Sequence, residues 1–237
     1  TAVTLKDPKR FLKSYVATYL REEIQNEGFA RNIGAFVRFL EAASFSQGSV
    51  LNMSTIARDV GVSTKTVSDY FSIVDDLLVG IRLPVFSKKA KRKLVAHPKF
   101  YFFDVGVFRA IRPRGPLEAG EAILGPAIET LVLQHLRAVN DAFDFDYTIH
   151  YWRTSDDREV DFVLYGENGL VAIEVKSSAR VRSEDLSSLE LFAHDYPMAR
   201  RFLLHGGTEN FVEKGITCMP ISESLRDMHL WLVSGKK

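Results

Sequence analysis

An aspartate on one strand and a Glu-x-Lys on the next could bind a hard divalent cation and act on a phosphate. This chain carries both within a short stretch: Asp161 in Glu159-Val-Asp-Phe-Val-Leu, then Glu174 and Lys176 in Leu170-Val-Ala-Ile-Glu-Val-Lys-Ser-Ser. The two runs alternate with period two around Gly166-Glu167-Asn168-Gly169, which predicts a β-hairpin. Alternation sets Asp161 and Val163 on one face of the first strand, and Ala172, Glu174 and Lys176 on one face of the second. Because those faces also carry Val163 and Ala172, the charges are expected to be half-buried. That is costly unless they pair or bind a metal. Two carboxylates give Mg²⁺ hard oxygen ligands while its other positions keep waters and a substrate phosphate. The ammonium of Lys176, on the same side as Glu174, can reach the water or the phosphate. The bland alternative is a pair of edge strands with ordinary surface charges.

The pattern Asp…Glu-x-Lys resembles the PD-(D/E)xK nuclease signature, with Val160 where many members have proline. Upstream, Gly125-Pro-Ala-Ile-Glu-Thr-Leu-Val-Leu-Gln-His-Leu reads as a helix with Pro126 in its first turn. Glu129 falls inside the apolar stripe of that helix, with Val132, Leu133 and Leu136 as its neighbours. An inward Glu before the catalytic strands completes the metal site in many members of that superfamily. The resemblance therefore implies Glu129, Asp161 and Glu174 as ligands of Mg²⁺ or Mn²⁺, and Lys176 as a catalytic group. A Glu that snorkels or pairs with a core arginine is the alternative for Glu129.

The elements that must hold these residues follow from the rest of the chain. Its 237 residues suit one large or two small domains, and 46% hydrophobic residues supply real cores. A formal charge of +1 confines any nucleic-acid footprint to a local patch. The lone Cys218 excludes a disulfide framework within the chain and fits a reducing cytoplasm. There is no apolar run of membrane-spanning length and no signal peptide, so no membrane partner is expected. The first residue is Thr, which suggests a fragment of something longer.

Phe11, Leu12, Tyr15, Val16, Tyr19, Leu20 and Ile24 fall at helical spacing and predict an N-terminal helix whose wide apolar face wants a partner. Three helices are expected between Ile33 and Leu83. The first buries Phe36, Val37, Phe39 and Leu40, Ser54 caps the second, Gly61 breaks it, and Ser63 caps the third. Ala57, Gly61, Val62 and Val67 occupy the small or apolar places that a helix-turn-helix requires. Its second helix would offer Thr64, Lys65, Thr66, Ser68 and Asp69 near its N-terminus, where recognition helices meet a DNA groove. Winged helices also serve as protein-packing modules. Strands over Val79–Phe86 and Lys99–Phe103 then make a wing, and five of the six residues Lys88, Lys89, Ala90, Lys91, Arg92 and Lys93 are basic. Such a run suits phosphates; its alternative role is a solvated loop that protects a strand edge. Residues 104–124 read as a junction. A strand at Thr148–Arg153, a helix from Ser183, strands at Arg201–His205 and Ile216–Ile221, and a tail helix over Ser222–Val233 complete the chain.

Across most of its length the sequence resembles the C-terminal portion of AAA+ ATPase-like proteins that carry a DUF4143 domain. The resembling residues include Tyr19-Leu-Arg-Glu-Glu-Ile, Ala57-Arg-Asp-Val-Gly-Val-Ser-Thr-Lys-Thr-Val, Pro98-Lys-Phe-Tyr-Phe-Phe-Asp-Val-Gly, Trp152-Arg-Thr, Glu159-Val-Asp-Phe-Val and Ile173-Glu-Val-Lys-Ser-Ser. The order helix, strands, helix, strand gives an α/β (α+β) chain. Its parts would be an N-terminal helix over residues 1–30, a winged helix-turn-helix over 31–105, and a restriction-endonuclease-like domain over 106–237. The resemblance also implies an ATPase half that has been lost, cut off or left out, since no Gly-x-x-x-x-Gly-Lys-[Ser/Thr] is present. Two functional readings stand: a Mg²⁺-dependent nuclease acting on DNA, or a non-catalytic DNA-binding or regulatory module of an AAA+ ATPase. The expected compartment is the cytoplasm.

Overall fold

The computed structural model describes residues 32–113 and 120–233, together with positions 7, 11, 12, 14 and 18. The expected N-terminal helix lies mostly outside the described residues. So do residues 114–119, the later part of the expected junction. The chain is α+β and divides into two compact units, residues 1–82 with 99–130, and residues 83–98 with 131–237.

In the first unit, helix α1 (Ile33–Ser44) starts where the Asn32 side chain accepts the Ala35 N–H. Phe36, Phe39, Leu40 and Ala43 recur at the 3.6-residue period and are buried. Val37, expected inward, is 43% exposed, because one step beyond Phe36 turns it off that stripe. Helix α2 (Met53–Val60) is capped by Asn52, not Ser54: the Asn52 carboxamide accepts the Thr55 N–H. Gly61 ends it in the left-handed region at φ 76°, its N–H bonded to the Ala57 carbonyl. Ser63 caps helix α3 (Thr64–Asp76) through the Thr66 N–H. The core is aromatic, with Phe39 edge-on to Phe71 at 4.8 Å and Phe36 edge-on to Tyr70 at 5.1 Å. A three-stranded sheet, in the order β1 (Ser49–Val50), β3 (Lys99–Phe102) and β2 (Gly80–Leu83), adds Phe100 and Phe102 to that core. Residues 104–112 are more than a junction: Asp104 caps helix α4 (Val105–Ile111), which buries Val107, Phe108 and Ile111.

Helix α5 (Gly120–Ala142) begins earlier than expected, so Pro126 lies inside it and not in its first turn. The helix crosses the division, residues to Thr130 counting with the first unit and those from Leu131 with the second. Within the first unit the buried Gln47 receives the Phe102 N–H at 2.8 Å and donates to Thr130 Oγ1 at 2.6 Å.

The second unit is built on a six-stranded sheet in the order β4-β5-β6-β7-β9-β8. Its strands are β4 (Thr148–Arg153), β5 (Glu159–Gly166), β6 (Gly169–Lys176), β7 (Arg200–His205), β8 (Phe211–Glu213) and β9 (Ile216–Pro220). Strands β4 to β6 are antiparallel neighbours, whereas β6, β7 and β9 run parallel. The β5–β6 hairpin turns where expected, with Gly166 paired to Gly169. A 3₁₀ turn (Ser183–Leu186) and helix α6 (Ser187–Asp195) bring Leu186, Leu189 and Phe192 onto Val163, Ala172, Leu203 and Cys218. The tail forms two short helices, α7 (Ile221–Arg226) and α8 (Met228–Val233), in place of one. Arg200 ties α8 down through the Trp231 carbonyl at 2.6 Å, and the Trp231 ring meets Phe202 at 4.7 Å.

Gly80 marks a close approach within the first unit. A Cβ there would lie 2.4 Å from Val74 Cγ1 and 2.7 Å from the Phe100 ring. Gly80→Ala is therefore expected to destabilise the protein by about 1–3 kcal/mol, the usual effect of overfilling a close-packed site. Urea denaturation of the two proteins measures it.

Candidate active site

Strands β5 and β6 pair from the hairpin back to Phe162 and Ile173, and there their pairing ends. Strand β5 runs on beside β4 to Glu159, while β6 runs on beside β7 to Lys176. The sheet therefore forks, and continuing the register sets Asp161 opposite Glu174 at its crotch. Where a backbone acceptor would have served the next ladder bond, Asp161 Oδ2 accepts the Val175 N–H at 3.0 Å instead. A residue's N–H and C=O leave the same edge of a strand, so the Val175 carbonyl faces the fork as well. Asp161 and Glu174 are each only 6% exposed.

Lys176 closes the fork, its ammonium 2.7 Å from Glu174 Oε1. Burial alone would lower its pKa. The carboxylates of Glu174 and Asp161, the Glu174 hydrogen bond and the charge of Asp185 outweigh burial and raise it well above the ordinary lysine value. Lys176 is therefore a fixed cation and not a proton acceptor at neutral pH. Asp185, in the 3₁₀ turn, belongs to this electrostatic neighbourhood and carried no signal in the sequence.

Glu129 lies in the first unit, whereas Asp161, Glu174 and Lys176 lie in the second. Its Oε2 sits 3.2 Å from the ammonium of Lys99, which is 1% exposed, and accepts the Tyr101 hydroxyl at 2.8 Å. Gly48, at φ 67°, leaves room for that carboxylate: a Cβ there would lie 3.0 Å from Glu129 Oε2. Glu129 is thus engaged by a buried cation of its own unit, a lysine where the sequence alternative named an arginine.

Among the described residues, no three His, Cys, Asp or Glu side chains are grouped to hold a metal. Mg²⁺ does not need three, since it binds through one or two carboxylates and keeps several waters. The carboxylates of Asp161 and Glu174 with the Val175 carbonyl are hard oxygen donors of that kind. Their chemistry fits such an ion.

The other residues singled out from the sequence divide between the units. Thr64, Lys65 and Ser68 are exposed at the start of α3, and Thr66 is partly turned into the Ser63 cap. The basic run belongs to the second unit and not to a wing of the first. Arg92 is clamped by Asp195, Lys88 lies over the Tyr165 ring at 4.1 Å, and Lys89, Lys91 and Lys93 are exposed.

His205 was missed. It ends β7 beside Lys176 and is 1% exposed. Its Nδ1 accepts the Gly207 N–H, so the neutral ring carries its proton on Nε2, which has no hydrogen-bond partner among the described residues. The only available signal was a histidine closing a short apolar strand.

Asp161→Ala should strand the buried Val175 N–H and cost about 1–3 kcal/mol, whereas Asp161→Asn keeps an acceptor and should cost much less. Exchange of the Val175 amide reports the difference directly. The raised pKa of Lys176 has the opposite pH signature from a paired carboxylate. Its contribution to stability is complete below the ordinary lysine range and disappears only as pH rises through the higher folded value. Lys176→Met should remove that alkaline dependence from pH-resolved denaturation curves.

Residues 124–224 match the family described as "Domain of unknown function (DUF4143)", and residues 2–118 match that described as "Domain of unknown function (DUF8612)". Uncharacterized proteins of Mycobacterium bovis and Mycobacterium tuberculosis are each 26% identical over 216 residues, covering 89% of this chain and 47% of their own length. The chain thus spans about half the length of the curated relatives it matches. No solved structure matches it. The DUF4143 part of the resemblance accordingly holds for residues 124–224, the stretch that carries Asp161, Glu174 and Lys176.

Proposed function

We propose that the second unit is a restriction-endonuclease-like domain that hydrolyses phosphodiester bonds in DNA with Mg²⁺ or Mn²⁺. The observation that carries this reading is the fork in the sheet. Two carboxylates and a lysine are brought to the point where backbone pairing stops, where a purely structural sheet would continue its ladder. A divalent ion held by Asp161, Glu174 and the Val175 carbonyl would supply Lewis acidity at the phosphate and a more acidic water. Glu174 orients Lys176, and the fixed ammonium stabilises charge that develops on the phosphate oxygens. On this reading the first unit is a winged helix-turn-helix, with Thr64, Lys65, Thr66 and Ser68 at a DNA groove. An AAA+ ATPase domain in the full-length protein is the further partner that the resemblance suggests.

A second reading has its own support. The Glu174–Lys176 pair satisfies both charges within the chain, and Glu129 is engaged by Lys99 and Tyr101. Both suit a domain kept for packing, a non-catalytic DNA-binding or regulatory module.

Calorimetry with Mn²⁺, paired with a plasmid-nicking assay, separates the two. The nuclease reading expects Lys176→Ala to keep Mn²⁺ binding and to lose nicking by about 10²-fold or more, the scale of one charge-stabilising group. Asp161→Asn and Glu174→Gln should lose both, because an amide is a poorer ligand for a hard ion. Wild-type protein that binds Mn²⁺ without nicking, or that does neither, supports the regulatory module.

A further inference from the structure

The basic run at residues 88–93 is an anchored part of the second unit. Residues 84–86 before the run and 93–95 at its end bond to the outer edge of β4 and to the residues that follow that strand. Phe86 donates its N–H to the Tyr151 carbonyl, Tyr151 donates to the Pro84 carbonyl, and Val95 donates to the Arg153 carbonyl. Val85 and Leu94 form isolated bridges to Tyr151 and Thr154, and Phe86 is buried in the core beneath α6. Two further ties hold the loop itself. The guanidinium of Arg92 grips Asp195 with two bonds, Nε to Oδ2 at 2.6 Å and Nη2 to Oδ1 at 3.0 Å, and the Tyr196 hydroxyl donates to the Lys88 carbonyl at 2.9 Å.

These ties divide the five cations by role. Arg92 is an anchor, since its charge is met by a carboxylate that is itself buried. Lys88 lies over the ring of Tyr165. Lys89, Lys91 and Lys93 remain exposed, with no ion pair among the described residues. Clustering like charges on a fixed loop costs self-repulsion that a mobile loop would relieve. Edge protection does not explain them, because backbone hydrogen bonds already cover the β4 edge beside the run, at Tyr151 and Arg153.

We propose that Lys89, Lys91 and Lys93 form a nucleic-acid docking surface of the second unit, fixed in place by the Arg92–Asp195 clamp. The partner is a phosphate backbone and not a lipid surface. Phe86 and Leu94, which flank the basic run, pack into the unit's own core and are not presented with the lysines for insertion into a bilayer. The inference rests on the nucleic-acid reading above but not on cleavage.

The test is fluorescence anisotropy with a labelled 30-base-pair DNA duplex in EDTA, across a KCl series, so that its outcome does not depend on catalysis. Replacing Lys89, Lys91 and Lys93 together by Gln should weaken binding and lower the slope of log K against log[salt] by about 2.7, at about 0.9 for each phosphate no longer neutralised. Arg92→Gln, in a loop still bearing the three lysines, should raise amide exchange over residues 86–95 while changing the slope by less than one phosphate's share. A triple variant whose slope equals the wild type overturns the proposal. So does a wild type that binds phosphatidylserine vesicles but not the duplex, or a variant Arg92→Gln that lowers the slope as much as the triple change.

Discussion

The hydrogen bond from the Val175 N–H to the Asp161 carboxylate is what the second unit depends on. It stands at the place where the β5–β6 ladder ends, and it lets the two strands part without leaving a buried donor unmet. The parting falls at the level of Asp161 and Glu174. A continuous ladder would put a backbone carbonyl where the side chain now is. The same carboxylate adds to that of Glu174 in keeping Lys176 charged against its burial, so one residue both closes the sheet's hydrogen bonding and supports the charge of its neighbour. Around this point the mixed sheet is necessary, since parallel β7 extends β6 beyond the fork while antiparallel β4 extends β5.

Much of this region was legible in the sequence. Period-two alternation across Val160–Leu164 and Val171–Lys176 fixed the hairpin and the shared face of Asp161, Glu174 and Lys176. The apolar residues of that face, Val163 and Ala172, announced its burial. The fork was not legible, because alternation reports which way side chains point and not where two strands cease to pair. Asn52 and Ser54 stand two residues apart with equal credentials as caps, and only the backbone conformation at Asn52 decides between them. Pro126 misled for a related reason. A proline is most at home in a first helical turn, yet here the helix runs through it from Gly120.

Chain adjacency was the other misleading signal. The basic run follows the α2–α3 pair directly and so reads as its wing, but hydrogen bonds to β4, more than fifty residues away, place it in the second unit. Glu129 shows the same limit in another form. An acidic residue in an apolar stripe declares that it has a partner without saying which. Lys99 could not be named from spacing, because strand β3 and helix α5 meet only in the fold. Lys99 is the buried member of the ion pair, and without the Glu129 carboxylate its charge would be left uncompensated.

On the nuclease reading proposed above, the forked sheet would hold a divalent cation at Asp161 and Glu174. Anomalous diffraction from a crystal soaked in Mn²⁺ tests it most directly. The expected result is a peak between the two carboxylates, within coordinating distance of an oxygen from each and of the Val175 carbonyl, and absent from a Glu174→Gln crystal soaked in the same way. A saturating soak that leaves the fork without a peak, with Lys176 still paired to Glu174, would contradict it.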